Sequence, residues 1–84
     1  MYCDELSLLR LRVIADADPG ALARVLERFQ NLNVLPRSVT AELCTTGAFH
    51  VRVDIAGVAE STLTAIAAKL GQTPCIQNAY WHRV

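Results

Sequence analysis

The chain has 84 residues, 52% of them apolar, and its eight basic and eight acidic residues give a formal net charge of zero. A chain of this size buries only about 60–65% of the surface its unfolded form exposes, so one small domain over residues 1–84 is expected, and association with another copy would add stability. The balanced charge supplies no electrostatic footprint for DNA, RNA or an anionic membrane, so partners are expected to be recognised by shape.

The amino-terminal MYCDELS carries acids where a secretory leader would carry lysines. No apolar run approaches the ~20 residues that span a bilayer, and a cytoplasmic protein is expected. Leu9, Leu11, Val13 and Ala15 then alternate with Arg10 and Arg12, Ile14 being the exception, which predicts a half-buried strand. In the following DADPG, Asp18 stands where a helix N-cap is wanted. Pro19 suits a first helical position and Gly20 lets another group approach the backbone. The same segment also reads as the rim of a site, because free N–H groups and the dipole at a helix start favour a carboxylate or phosphate. Asp18 would compete for those donors.

Leu22, Val25, Leu26 and Phe29 share a narrow stripe away from Arg24, Glu27 and Arg28, so an amphipathic helix is expected over Pro19 to Leu32. Beyond Pro36 a second strand sets Val39, Ala41 and Leu43 on its core side against Ser38, Thr40 and Glu42. The turn TTG leads into the clearest alternation of the chain, Phe49, Val51, Val53 and Ile55 against His50, Arg52 and Asp54. Leu63, Ile66, Ala67 and Leu70 mark a second helix ending at Gly71, and CIQNAYWHRV supplies a last, less regular strand.

The order βαββαβ predicts an α+β, ferredoxin-like sandwich: a four-stranded antiparallel sheet of strand order 4-1-3-2 with two helices on one face. Arg10, Arg12, Thr40, Glu42, His50, Arg52 and Asp54 then line the other face, read as a solvated surface with cross-strand ion pairs. Phe49, His50, Tyr80 and Trp81 are stacking groups an RNA-binding sheet could use, but Phe49 belongs to the core side and the net charge is zero. Cys3, Cys44 and Cys75 are widely spaced and odd in number, which fits buried, reduced thiols rather than disulfides or a zinc site, and no cofactor is expected. His50 and His82 have no spaced nucleophile or carboxylate that makes a catalytic constellation, so no enzyme is expected.

DPGALARVLERFQNLNVLPRSVT resembles the first helix and second strand of an ACT domain, most closely that of the regulatory (small) subunits of acetolactate synthase. The likeness rests on Gly20-Ala21-Leu22, Arg24-Val25, Phe29, Ser38 and Thr40, covers Asp16 to Thr40, and extends to the rest only through element order. It implies a non-catalytic regulatory module of the short, single-module type, docking on the catalytic subunit of a biosynthetic enzyme and sensing a branched-chain amino acid; a homodimer is expected separately, because the second strand is an edge with only Glu42 to discourage pairing with another chain. The alternative is a stand-alone, homo-oligomeric ACT-like amino-acid sensor with an unrelated partner. By the resemblance the effector would lie against Asp16, Ala17, Asp18, Gly20, Ala21 and Leu22, with Gly20 admitting it to the backbone. Asn33 stands where the family has a glycine after the helix, a position asparagine also fits. The departure is Ala17, where the family places an Asn or Asp side chain on the effector, so that Asp16 or Asp18 would have to serve its ammonium group.

Overall fold

A computed structural model describes residues 8–84, so Cys3 and the rest of MYCDELS lie outside the described residues. The elements are β1 (Leu8–Asp16), α1 (Ala21–Asn31), β2 (Ser38–Leu43), β3 (Ala48–Ala56), α2 (Glu60–Gly71) and β4 (Ile76–Arg83), in the expected order. Every strand pairing is antiparallel and the sheet runs β2-β3-β1-β4, the predicted order read from the opposite edge.

Register explains where the core sits. Leu9, Leu11 and Val13 of β1 face Ile55, Val53 and Val51 of β3, and the two-residue side-chain period puts all six on one side of the sheet. They form one buried cluster with Ala21, Val25 and Phe29 of α1 and Leu63, Ile66 and Leu70 of α2, so both helices cover that side. α1 ends in a Schellman motif: the Val34 N–H donates to Phe29 O at 2.9 Å, and the Asn33 N–H donates to Gln30 O at 3.0 Å. Asn33 takes φ 57°, the left-handed conformation anticipated for it. The β2–β3 hairpin closes through the Cys44 N–H to Ala48 O at 2.8 Å, with Gly47 at φ 91° in the turn.

Four expectations are corrected. α1 begins at Ala21, not Pro19, and its N-cap is Gly20 without a side-chain cap. Asp18 instead closes a turn ahead of the helix, its Oδ1 accepting the Gly20 N–H at 2.8 Å and its carbonyl accepting the Ala21 N–H at 2.9 Å. β2 does not bury its apolar side: Val39 is 41% and Leu43 61% exposed, because an edge strand lies at the margin of the helical layer. Phe49 and Cys44, at the open end of the same hairpin, are only half-buried, whereas Cys75 is buried as expected.

The fourth correction concerns Asp54, which was assigned to a solvated face yet is only 8% exposed, the one buried charged residue among those described. Arg10 stands opposite it in register and grips both carboxylate oxygens, Nε to Oδ1 at 2.8 Å and Nη2 to Oδ2 at 3.1 Å. The Ser38 hydroxyl adds a contact at 3.3 Å. These Arg10 hydrogen bonds hold the Asp54 carboxyl below the ordinary carboxylate range against the opposing effect of burial, and the same bonds raise Arg10.

Candidate ligand site beside the β1–α1 turn

The turn from Asp16 to Gly20 is built by its own polar groups. The Asp18 N–H donates to Asp16 O at 2.7 Å, and the Asp16 N–H is anchored to Cys75 O at 2.8 Å, tying the end of β1 to the segment before β4. Asp16 Oδ1 accepts from Gln77 Nε2 at 2.7 Å, so that carboxylate is directed across to β4. The first helical hydrogen bond runs from the Arg24 N–H to Gly20 O at 3.1 Å. The Leu22 and Ala23 N–H groups precede it, in the turn where a helix leaves donors without intrahelical partners.

Beside this turn lies a depression of about 310 Å³ lined by Ala17, Asp18, Pro19, Leu22, Leu43 and Phe49. Of the residues implicated by sequence, it therefore gathers Ala17, Asp18 and Leu22. Asp16 is engaged by Gln77, Gly20 donates its N–H to Asp18, and Ala21 is fully buried in the core. A side chain at Gly20 would meet nothing closer than Asp18 Oδ1 at 3.4 Å, so space there does not demand glycine. Pro19, Leu43 and Phe49 were missed. Leu43 and Phe49 are a register pair across β2 and β3, and the tight TTG hairpin was the signal that could have placed them together.

Chemically the depression is apolar except for Asp18. It suits a short aliphatic group, with one carboxylate at its margin able to meet a cation. A second groove, of about 630 Å³, lies between α1 and β2, lined by Leu26, Phe29, Val34, Leu35, Pro36 and Val39 among others. Leu35 is 89% exposed at its edge. Among the described residues no cluster of three His, Cys, Asp or Glu side chains could hold a metal ion.

No protein-family model matches the sequence, and no curated protein does. Solved structures do. The ACT domain from GTP pyrophosphokinase of Chlorobium tepidum aligns with a TM-score of 0.74 at 15% identity, covering 89% of this chain and 96% of that one. The chain has the ACT-domain fold. The C-terminal domain of the MgtC protein from Mycobacterium tuberculosis is similar over 100% of this chain and 94% of its own, with a TM-score of 0.77 and 16% identity. The regulatory subunit of aspartate kinase from Thermus flavus aligns over 92% of this chain and 52% of its own length, with a TM-score of 0.70 and 14% identity. At such identities the likeness shows a shared ACT-type architecture. No helix among the described residues is long and apolar enough to cross a membrane.

Proposed function

We propose that this chain is a non-catalytic regulatory module that pairs with a second copy and takes a small amino acid in the depression beside the β1–α1 turn. The observation that carries this reading is the position of Leu43. It walls the depression, yet it lies on the edge strand and is 61% exposed, so the pocket is open on the side where another chain would add. Side-by-side pairing along β2 would satisfy the unpaired edge, cover Val39 and Leu43, and close the pocket. Within β2 only Glu42 carries a charge that discourages such pairing.

The solved relatives described as an ACT domain of GTP pyrophosphokinase and a regulatory subunit of aspartate kinase support a regulatory role, since in both the shared fold accompanies an enzyme. The resemblance of residues 16–40 to acetolactate synthase small subunits names the candidate partner, a thiamine-dependent synthase, and the candidate effector, a branched-chain amino acid. The aliphatic lining by Leu22 and Leu43 fits such a side chain. Calorimetric titration of valine, leucine and isoleucine, together with sedimentation across a concentration series, tests the reading. A chain that stays monomeric on concentration and takes up none of the three, with or without Ala17→Asn, would sink it.

A further inference from the structure

The sheet face away from the helices holds a second concavity, of about 200 Å³, lined by Arg12, Ile14, Thr40, Glu42, His50, Arg52 and Tyr80 together with strand backbone. Its geometry is set by register. Thr40, Arg52, Arg12 and Tyr80 form one row across β2, β3, β1 and β4. Arg12 and Arg52 are therefore direct cross-strand neighbours, with Cβ atoms about 4.5–5.5 Å apart, a placement that destabilises a sheet when both residues carry the same charge.

No carboxylate of the described chain grips them directly, although Asp54 attracts Arg52 through its charge and Glu42 lines the same hollow. Asp54, the buried carboxylate of this face, is gripped by Arg10 through both oxygens, and neither Arg12 nor Arg52 forms an ion pair. Arg52 Nε is buried without a hydrogen-bond partner, and its Nη2 reaches only Thr40 Oγ1, at 3.4 Å. Arg12 is held from the side: its Nε donates to His82 Nε2 at 3.1 Å. That bond puts the His82 proton on Nδ1, which donates to Arg83 O at 2.9 Å. Ile14, the exception to the β1 alternation, is an apolar wall of the same hollow.

We infer that this hollow, distinct from the depression beside the β1–α1 turn, binds the phosphate group of a small phosphate monoester bearing an apolar or aromatic substituent. Two opposed guanidiniums match the charge of about −1.5 to −2 that a monoester carries near neutrality. The Thr40 and Tyr80 hydroxyls offer further donors at either end of the row, and arginine suits the recognition of such oxygens. Ile14 and the exposed Tyr80 ring provide the surface for the substituent. Glu42 at the rim and the zero net charge of the chain select against a polyanion.

The test is amide chemical-shift titration with sodium phosphate and with phenyl phosphate, ionic strength being held constant with sodium chloride. Shifts should localise to residues 12–14, 40–42, 50–52 and 80, with phenyl phosphate binding more tightly than inorganic phosphate. Arg52→Gln should weaken binding by about tenfold or more, which corresponds to about 1.4 kcal/mol, and Glu42→Gln should strengthen it. Without ligand, Arg52→Gln should melt close to the parent chain, because it relieves the like charge of Arg12 while giving up an attraction to Asp54; an arginine with a purely structural role would lower the melting temperature markedly. Shifts reproduced by chloride, or unchanged in Arg52→Gln, would overturn the site. Equal affinity for the two phosphates would overturn the monoester assignment, and so would a single-stranded RNA oligonucleotide that perturbs this face while phenyl phosphate does not.

Discussion

Two aspartates show how differently one side chain type acts in this chain. Asp18 is exposed and spends its carboxylate on the Gly20 N–H within a turn, whereas Asp54 is buried under a two-pronged contact from Arg10. Asp18→Ala is therefore expected to cost about 0.5–1.5 kcal/mol, the net contribution of one such hydrogen bond, as read from urea melts. If Asp18 meets an effector's ammonium group, the same change also removes any ligand-dependent rise in melting temperature. Asp54 links stability to acid. Its folded pKa lies below the unfolded value, so its contribution is present above the unfolded pKa and is lost as pH falls through the folded one, on the acid side of about pH 4. Asp54→Asn should lower stability near neutrality and flatten the dependence of the melting temperature on pH in that acid range, while leaving the alkaline side parallel to the parent.

At the scale of elements, the proposed pairing of two copies turns on the edge strand. β2 presents six exposed residues in the order Ser-Val-Thr-Ala-Glu-Leu and adjoins the apolar groove beneath Leu35. A charge at its centre should stop strand-to-strand pairing by leaving an unpaired ion at the new interface. Val39→Lys is expected to shift the chain to monomer in sedimentation at concentrations where the parent is a dimer, with the monomer still folded because Val39 is not part of the buried core. The strands themselves were legible because alternation survives wherever a helix roofs them, as Leu9 to Ala15 and Val51 to Ile55 show. Alternation does not say which strand lies at an edge or how far the roof reaches, so Val39 and Leu43 read as core. Nor does it foresee that Asp18 delays the helix by satisfying Gly20 locally. The burial of Asp54 depends on a partner 44 residues away in sequence, information only the register contains. The lining of the candidate site was legible in part for the same reason: Ala17, Asp18 and Leu22 are close in sequence to the turn, while Leu43 and Phe49 arrive through the hairpin.

For the whole molecule, the pocket and the edge are one problem, because Leu43 belongs to both. If a second copy closes the depression, then ligand and partner each favour the state the other needs, and by linkage the effect is reciprocal. A free amino acid must have its carboxylate and ammonium group satisfied, and a polar group buried without its partner costs about 1–3 kcal/mol. Ala17 offers no acceptor and one oxygen of Asp18 is already engaged, so the unmodified chain is expected to bind valine, leucine and isoleucine weakly. Ala17→Asn adds a side-chain carbonyl at the margin of the depression. One hydrogen bond to a charged group contributes about 1.5–3 kcal/mol, enough to strengthen binding by about tenfold or more. At ligand concentrations ten times the dissociation constant, the native state gains about 1.4 kcal/mol, which for a chain of this size raises the melting temperature by about 6–11 °C. The measurement is a set of melts with each amino acid at low and high protein concentration. Ala17→Asn should respond at ligand concentrations about tenfold below those the parent requires. The response should also grow with protein concentration, because a pocket completed by a partner binds only as well as the dimer is populated; a response independent of protein concentration would assign the whole site to one chain.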